Sequence, residues 1–113
     1  MTTTAHDRLI EVYTSYSAAY DRSGDDLASA QTPDQVRAVL ANLDALELVY
    51  LEAARNALDA TGAVVEQAFT DARAAREAVD QAYQDAKEMV EKIRLVGSLA
   101  KKASTLVKAA KGS

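Results

Sequence analysis

Apolar residues recur at helical spacing along nearly the whole chain, and the longest such run extends from Thr32 to about Leu95. Thr32-Pro33-Asp34-Gln35 predicts its start. Thr32 caps, Pro33 takes the first helical position, where a missing N–H is harmless, and Gln35 can bond back to the cap. Val36, Leu40, Leu43, Leu46, Tyr50, Ala53, Ala57 and Val64 then form one stripe. Ala75, Val79, Ala82, Ala86, Met89, Ile93, Val96, Ala100, Ala103, Val107 and Ala110 alternate steps of four and three, the spacing of a coiled-coil seam. Between the two stretches the steps run 64, 68, 72, 75, a stutter that relaxes a supercoil locally.

Two weak points interrupt this run. Gly62 costs about 1 kcal/mol against alanine inside a helix, but its flanks, Leu58-Asp59-Ala60 and Ala63-Val64-Val65, are helix-like. A helix continuous over 33–96, bent at 61–62, competes with an αα-hairpin broken there; the flanks favour continuity. Gly97-Ser98 precedes a last amphipathic segment, 98–111. Uninterrupted, the long helix would span roughly 95 Å and could not bury its stripe against itself.

Before it, Thr4 with Asp7 predicts a first helix over 4–22. Its His6, Leu9, Tyr13, Tyr16 and Tyr20 share one face. Ser23-Gly24-Asp25-Asp26 predicts its end and a loop over 23–32. The expected fold is therefore all-α: an elongated helical hairpin or three-helix bundle, forming one helical domain over 1–113 with a long Ala-rich, coiled-coil-like helix. Helix one would fold back on the Val36–Phe69 half, leaving the 75–110 seam for a second copy or a partner.

Composition sharpens this picture. Alanine supplies 24 of 113 residues, against 11 Leu, 10 Val and 2 Ile. Alanine favours helix but buries little area, so the packing is thin and close helix–helix contact or oligomerisation is expected. The window 43–69 is apolar beyond one stripe, and a wide face needs more than one neighbour. Leu48, Leu51, Leu58, Val65 and Phe69, with Val79, Met89 and Ile93 on the seam, are the candidate self-association residues. The plainer alternative is a three-helix bundle whose middle helix is simply the most buried.

Charge is unevenly spread. Residues 1–91 hold all 17 acids and 7 bases, a balance of −10, whereas 92–113 hold 6 bases and no acid. Arg94, Lys101, Lys102, Lys108 and Lys111 make the last segment a basic amphipathic helix. Cations there complement the helix dipole. The same helix could also lie on an anionic membrane or granule surface, or meet an acidic partner, including the acidic body of another copy. Nucleic acid is the least supported partner, because no aromatic interleaving or motif accompanies the bases.

The candidate chemistry is sparse. There is no cysteine, so disulfides and thiolate metal sites are excluded. His6 stands alone, no Glu-x-x-His is present, and no Gly-rich phosphate loop occurs. Glu66, Asp71, Glu77, Asp80, Asp85 and Glu88 interleave with Arg73, Arg76 and Lys87, the pattern of a solvated face. No cofactor, metal, small-molecule substrate or catalytic activity is expected. No stretch reads as a signal peptide or membrane span, and the default compartment is cytoplasmic. In composition across 33–111 the chain resembles phasins and other surface-coating helical proteins, and also small helical components of phage and secretion assemblies. That resemblance implies a structural or surface-binding role and transfers no individual residue. The expected function is a self-associating helical scaffold or assembly component. The alternatives are a lipid- or granule-surface binder and a regulatory module that binds a partner helix.

Overall fold

The computed structural model describes residues 2–112 and holds four helices: α1 (Ala5–Ser29), α2 (Pro33–Arg55), α3 (Ala63–Gln84) and α4 (Met89–Ala110). The all-α expectation holds. The hairpin or three-helix count does not, because the expected long helix is divided twice. The longest dimension is 43 Å, well short of an unbroken rod.

Most boundaries have a local cause. Thr4 Oγ1 accepts the Asp7 N–H at 3.0 Å, and Asp7 returns the bond to the Thr4 N–H at 2.9 Å, a capping box that starts α1. These bonds hold the Asp7 carboxyl below its ordinary pKa. The helix continues past Gly24 to Ser29, contrary to the expected turn at 23–26, because Asp26 is anchored: its buried carboxylate accepts the Tyr83 hydroxyl of α3. Thr32 starts α2 as expected, with its hydroxyl accepting the Gln35 N–H at 3.1 Å. The Gln35 side chain reaches one residue further back, accepting from the Gln31 N–H rather than from the cap itself.

The helix expected over 33–96 first breaks at 56–62. Asn56 adopts an extended conformation, and Gly62 sits at φ 119, a region closed to most L-residues. The second break, at 85–88, falls where no glycine or proline marks it. Ala86 takes the left-handed conformation at φ 53, its N–H reaches Tyr83 O, and the Lys87 N–H reaches Ala82 O. That is a Schellman ending with alanine in the place usually held by glycine. Gly97, by contrast, lies inside α4 and interrupts nothing.

The 75–110 seam thus folds on itself. Val79 and Ala82 of α3 are buried together with Val96, Ala100, Ala103, Val107 and Ala110 of α4. The seam therefore needs no second copy to cover it, and the expectation that it would is corrected. The small side chains let α3 and α4 form the most extensive helix contact of the bundle. Around the bundle the order is α1, α2, α4, α3, with α1 and α4 also meeting across the short diagonal. Helices α2 and α3, consecutive in sequence, have no Cα pair within 8 Å. The 56–62 segment must therefore cross one pole of the bundle.

Arg8 holds that crossing. It is 1 % exposed, and its guanidinium finds five acceptors. Nε bonds Thr3 Oγ1 at 3.0 Å, and Nη1 bonds Leu58 O at 2.6 Å and Ala60 O at 2.7 Å. Nη2 bonds Thr3 O and Glu66 Oε2, each at 3.0 Å. A guanidinium has five N–H donors, so none is left unsatisfied. Leu58 plugs the core beneath, and the Ala60 N–H donates to Ala110 O at 2.9 Å, satisfying a carbonyl at the end of α4.

The α1–α3 seam continues as a polar ladder. Buried Glu11 meets Arg73 and Arg76, and Arg22 lies 2.9 Å from Asp80. The Arg22 contact is ionic only, since its Nη1 lacks hydrogen-bond geometry. The sequence placed His6, Leu9 and the tyrosines on the inner face of helix one. Leu9 and Tyr16 do pack, partly buried, against the core, but His6, Tyr13 and Tyr20 are exposed and Arg8, Glu11, Val12 and Ser15 face inward, because the two charged groups find their partners across the seam. Val36–Val64 is corrected in part: Leu46 and Ala53 are buried, whereas Leu40, Ala57 and Val64 face solvent.

Three outcomes test this account. Arg8→Met leaves two loop carbonyls and Glu66 without their donors and should lower unfolding free energy by about 3 kcal/mol in urea titrations; a loss under about 1 kcal/mol would refute the clamp. Thr3 first, and then Arg8, hold the Glu66 carboxyl below its ordinary value of 4.5. The unfolded chain therefore binds the proton more readily, and this stabilisation, complete above that value, drains as pH falls through the lower folded one. Glu66→Gln should flatten the fall of thermal midpoint between about pH 5 and pH 3; an unchanged slope would contradict it. Ala86→Gly should relieve the left-handed strain and raise stability by up to about 1 kcal/mol, read as a higher thermal midpoint.

Candidate interaction surface

The crossing places α2 and α3 at the two outer corners of the bundle, where each exposes a wide arc. The two arcs differ in chemistry. Beyond its first turn the exposed positions of α3 are polar or alanine, Gln67, Thr70, Arg73, Ala74, Glu77, Ala78 and Gln81 among them, while Val64 in the first turn is 76 % exposed. Those of α2 include three leucines, Leu40, Leu48 and Leu51, with Leu48 67 % and Leu51 37 % exposed. Three leucines on one exposed arc mark an interaction surface more strongly than scattered single ones would.

Aromatic surface adjoins this arc on the α1 side. Tyr16 stacks on Tyr50 with ring centroids 5.7 Å apart, and Tyr13 approaches the same ring at 5.4 Å. Tyr20 continues the row at 6.1 Å from Tyr16. Tyr13 is 46 % and Tyr20 59 % exposed, with Ile10 beside them on the outer side of α1. The Tyr16 hydroxyl is pushed up in pKa, first by burial and then by its bond to Glu47. Rigid, amphipathic rings of this kind give large contact area at little entropic cost.

On the other side of α2 a shallow groove runs along α4. Ala45, Leu48 and Val49 face Gly97, Ala100 and Ser104 across it, with Lys101 and Lys108 on the rim. Gly97 makes the close approach there: a Cβ at that position would stand 3.3 Å from Asn42 Oδ1. Asn42 also donates from Nδ2 to Ile93 O at 3.0 Å, tying α2 to α4.

The residues expected to drive self-association separate into two groups. Leu48 and Leu51 are on the surface. Leu58, Val65, Phe69 and Val79 are buried in the chain's own core, and Met89 and Ile93 are half-buried at the start of α4. Of the basic residues, Lys101, Lys102 and Lys108 are exposed, Arg94 pairs with Glu91, and Lys111 pairs with Glu52. The Lys111 pairing, through its hydrogen bond first, holds the Glu52 carboxyl low. The apolar side of α4 faces inward, with Leu99, Leu106 and Val107 almost fully buried. The exposure of Leu40 and of the tyrosine row was missed because both fit an apolar stripe by spacing; only the charged inner face of α1 betrays the rotation.

Among the described residues, no group of three or more His, Cys, Asp or Glu side chains could hold a metal ion. No helix among them is long and apolar enough to cross a membrane. No family of known proteins, no curated protein and no solved structure matches the chain.

Proposed function

We propose that the protein is a non-enzymatic structural module that associates with copies of itself, as a helical scaffold or a small component of a larger assembly. The observation that carries this reading is the group of exposed leucines on α2, Leu40, Leu48 and Leu51, beside exposed Tyr13 and Tyr20, against one large exposed apolar side chain, Val64, on α3. Aromatic residues such as these tyrosines are enriched in interfaces.

The surface-binding alternative asks more of the molecule. The lysines of α4 are available as they stand, but its apolar side is part of the core. Laying that side on anionic lipid would require α4 to leave α2 and α3 and to expose Leu99 and Leu106. Binding of a partner helix in the α2–α4 groove requires no such opening and stands as the second reading.

Sedimentation equilibrium of the full chain should give a mass that rises with concentration to a multiple of the 12.1 kDa protomer. Leu48→Lys with Leu51→Lys should return it to the protomer mass with helicity unchanged, since both side chains are on the surface. A native chain that stays at protomer mass throughout its soluble range would sink the self-association reading.

A further inference from the structure

The outer arc of α2 carries a pattern that specifies how two copies would meet. Asp44, Leu48, Leu51 and Arg55 follow one another at steps of four, three and four, so they share one stripe. All four are exposed. Asp44 and Arg55 enter no ion pair among the described residues, although α2 carries pairs at Asp34–Arg37 and at Glu52–Lys111. The stripe therefore ends in two opposite charges without partners, on either side of a leucine pair.

We infer that this stripe is a two-fold, antiparallel docking site for the same stripe of a second copy. The inference rests on the self-association reading and adds the register and the partner residues. Leu51 lies seven residues beyond Asp44, and Arg55 lies seven residues beyond Leu48. Each separation is about 10 Å along the helix. When the second copy runs antiparallel with its Leu51 against Leu48, its Arg55 therefore falls opposite Asp44. The same contact is repeated at the other end by symmetry. One stripe supplies both halves of every contact, as an isologous interface requires. A parallel pairing in register would set Asp44 on Asp44 and Arg55 on Arg55, so the charges reject that orientation. The position of α2 at an outer corner leaves the approach open, because α3 does not reach it.

Charge reversal in the full-length chain tests the register. Asp44→Arg alone gives a stripe with bases at both ends, and Arg55→Asp alone gives one with acids at both ends. Each variant by itself should self-associate more weakly than the native chain, with a dissociation constant higher by roughly tenfold or more, because two attractive contacts become repulsive. An equimolar mixture of the two should recover native-like association as a heterodimer, read by sedimentation and by native mass spectrometry at the heterodimer mass. Asp59→Arg, which changes an exposed acid outside the stripe by the same charge, should leave association unchanged. All three sites are on the surface, and circular dichroism checks that each variant folds. If the native chain associates but the single variants behave like it and the mixture forms no preferred heterodimer, the register is wrong while self-association through another face stands. A native chain that never exceeds protomer mass removes both readings.

Discussion

One buried guanidinium organises the molecule. Arg8 binds two carbonyls of the crossing segment, the carboxylate at the start of α3, and Thr3 ahead of α1. Without those bonds the 56–62 segment would carry buried carbonyls with no donor, and a route across the pole would be costly. With them, α3 is carried past α4 instead of beside α2. That displacement decides which helices lie at the outer corners, and so which side chains meet solvent. The leucine arc of α2 is exposed because Arg8, far earlier in the chain, holds a loop in place.

The interior is correspondingly divided. Toward α4 the packing is apolar and fine-grained, with alanine and valine at most buried positions. Toward the α1–α3 seam it is held by Glu11, its two arginines, and the Asp26–Tyr83 bond. Arg22 and Lys92 both approach the Tyr83 ring, at 4.3 and 4.8 Å, adding cationic contact at the far end of the same seam. Such pairs contribute little net stability against an apolar replacement, but they penalise a slipped register, in which a buried charge would lose its partner. In a core this rich in alanine, where many registers bury similar area, that penalty selects one of them.

Helix content and the capped starts at Thr4 and Thr32 were legible in the sequence because each depends on a few adjacent residues. The division of the long run was not. The Ala82–Ala86–Met89 steps keep the heptad pattern through the turn at 85–88, so periodicity alone does not separate one straight helix from two that fold together. Ala86 in a left-handed conformation breaks the usual signal, since a glycine there would have announced the stop. At Gly62 the signal was present but was outweighed by helix-forming neighbours. Of the candidate surface, Leu48 and Leu51 could be read from the width of the apolar window. Leu58, Val65, Phe69 and Val79 belong to that window or the seam and yet are internal, because their exposure depends on which helix crosses where. The inward turn of Arg8 and Glu11 also lay beyond local pattern, since Arg8 turns to acceptors on Leu58, Ala60 and Glu66 and Glu11 to donors on Arg73 and Arg76, all distant in sequence.

Thr3, the crossing segment and Ala110 all gather at one pole of the bundle, while the short α1–α2 and α3–α4 connections lie at the other. The outermost helices of the chain, α1 and α4, therefore run antiparallel from a common base. Tension applied between the ends would peel these helices apart from that base, loading rows of contacts in turn and not all at once. The Arg8 cluster and the Ala60–Ala110 bond stand where that peeling begins, so the first resistance to it comes from the few contacts gathered at this pole.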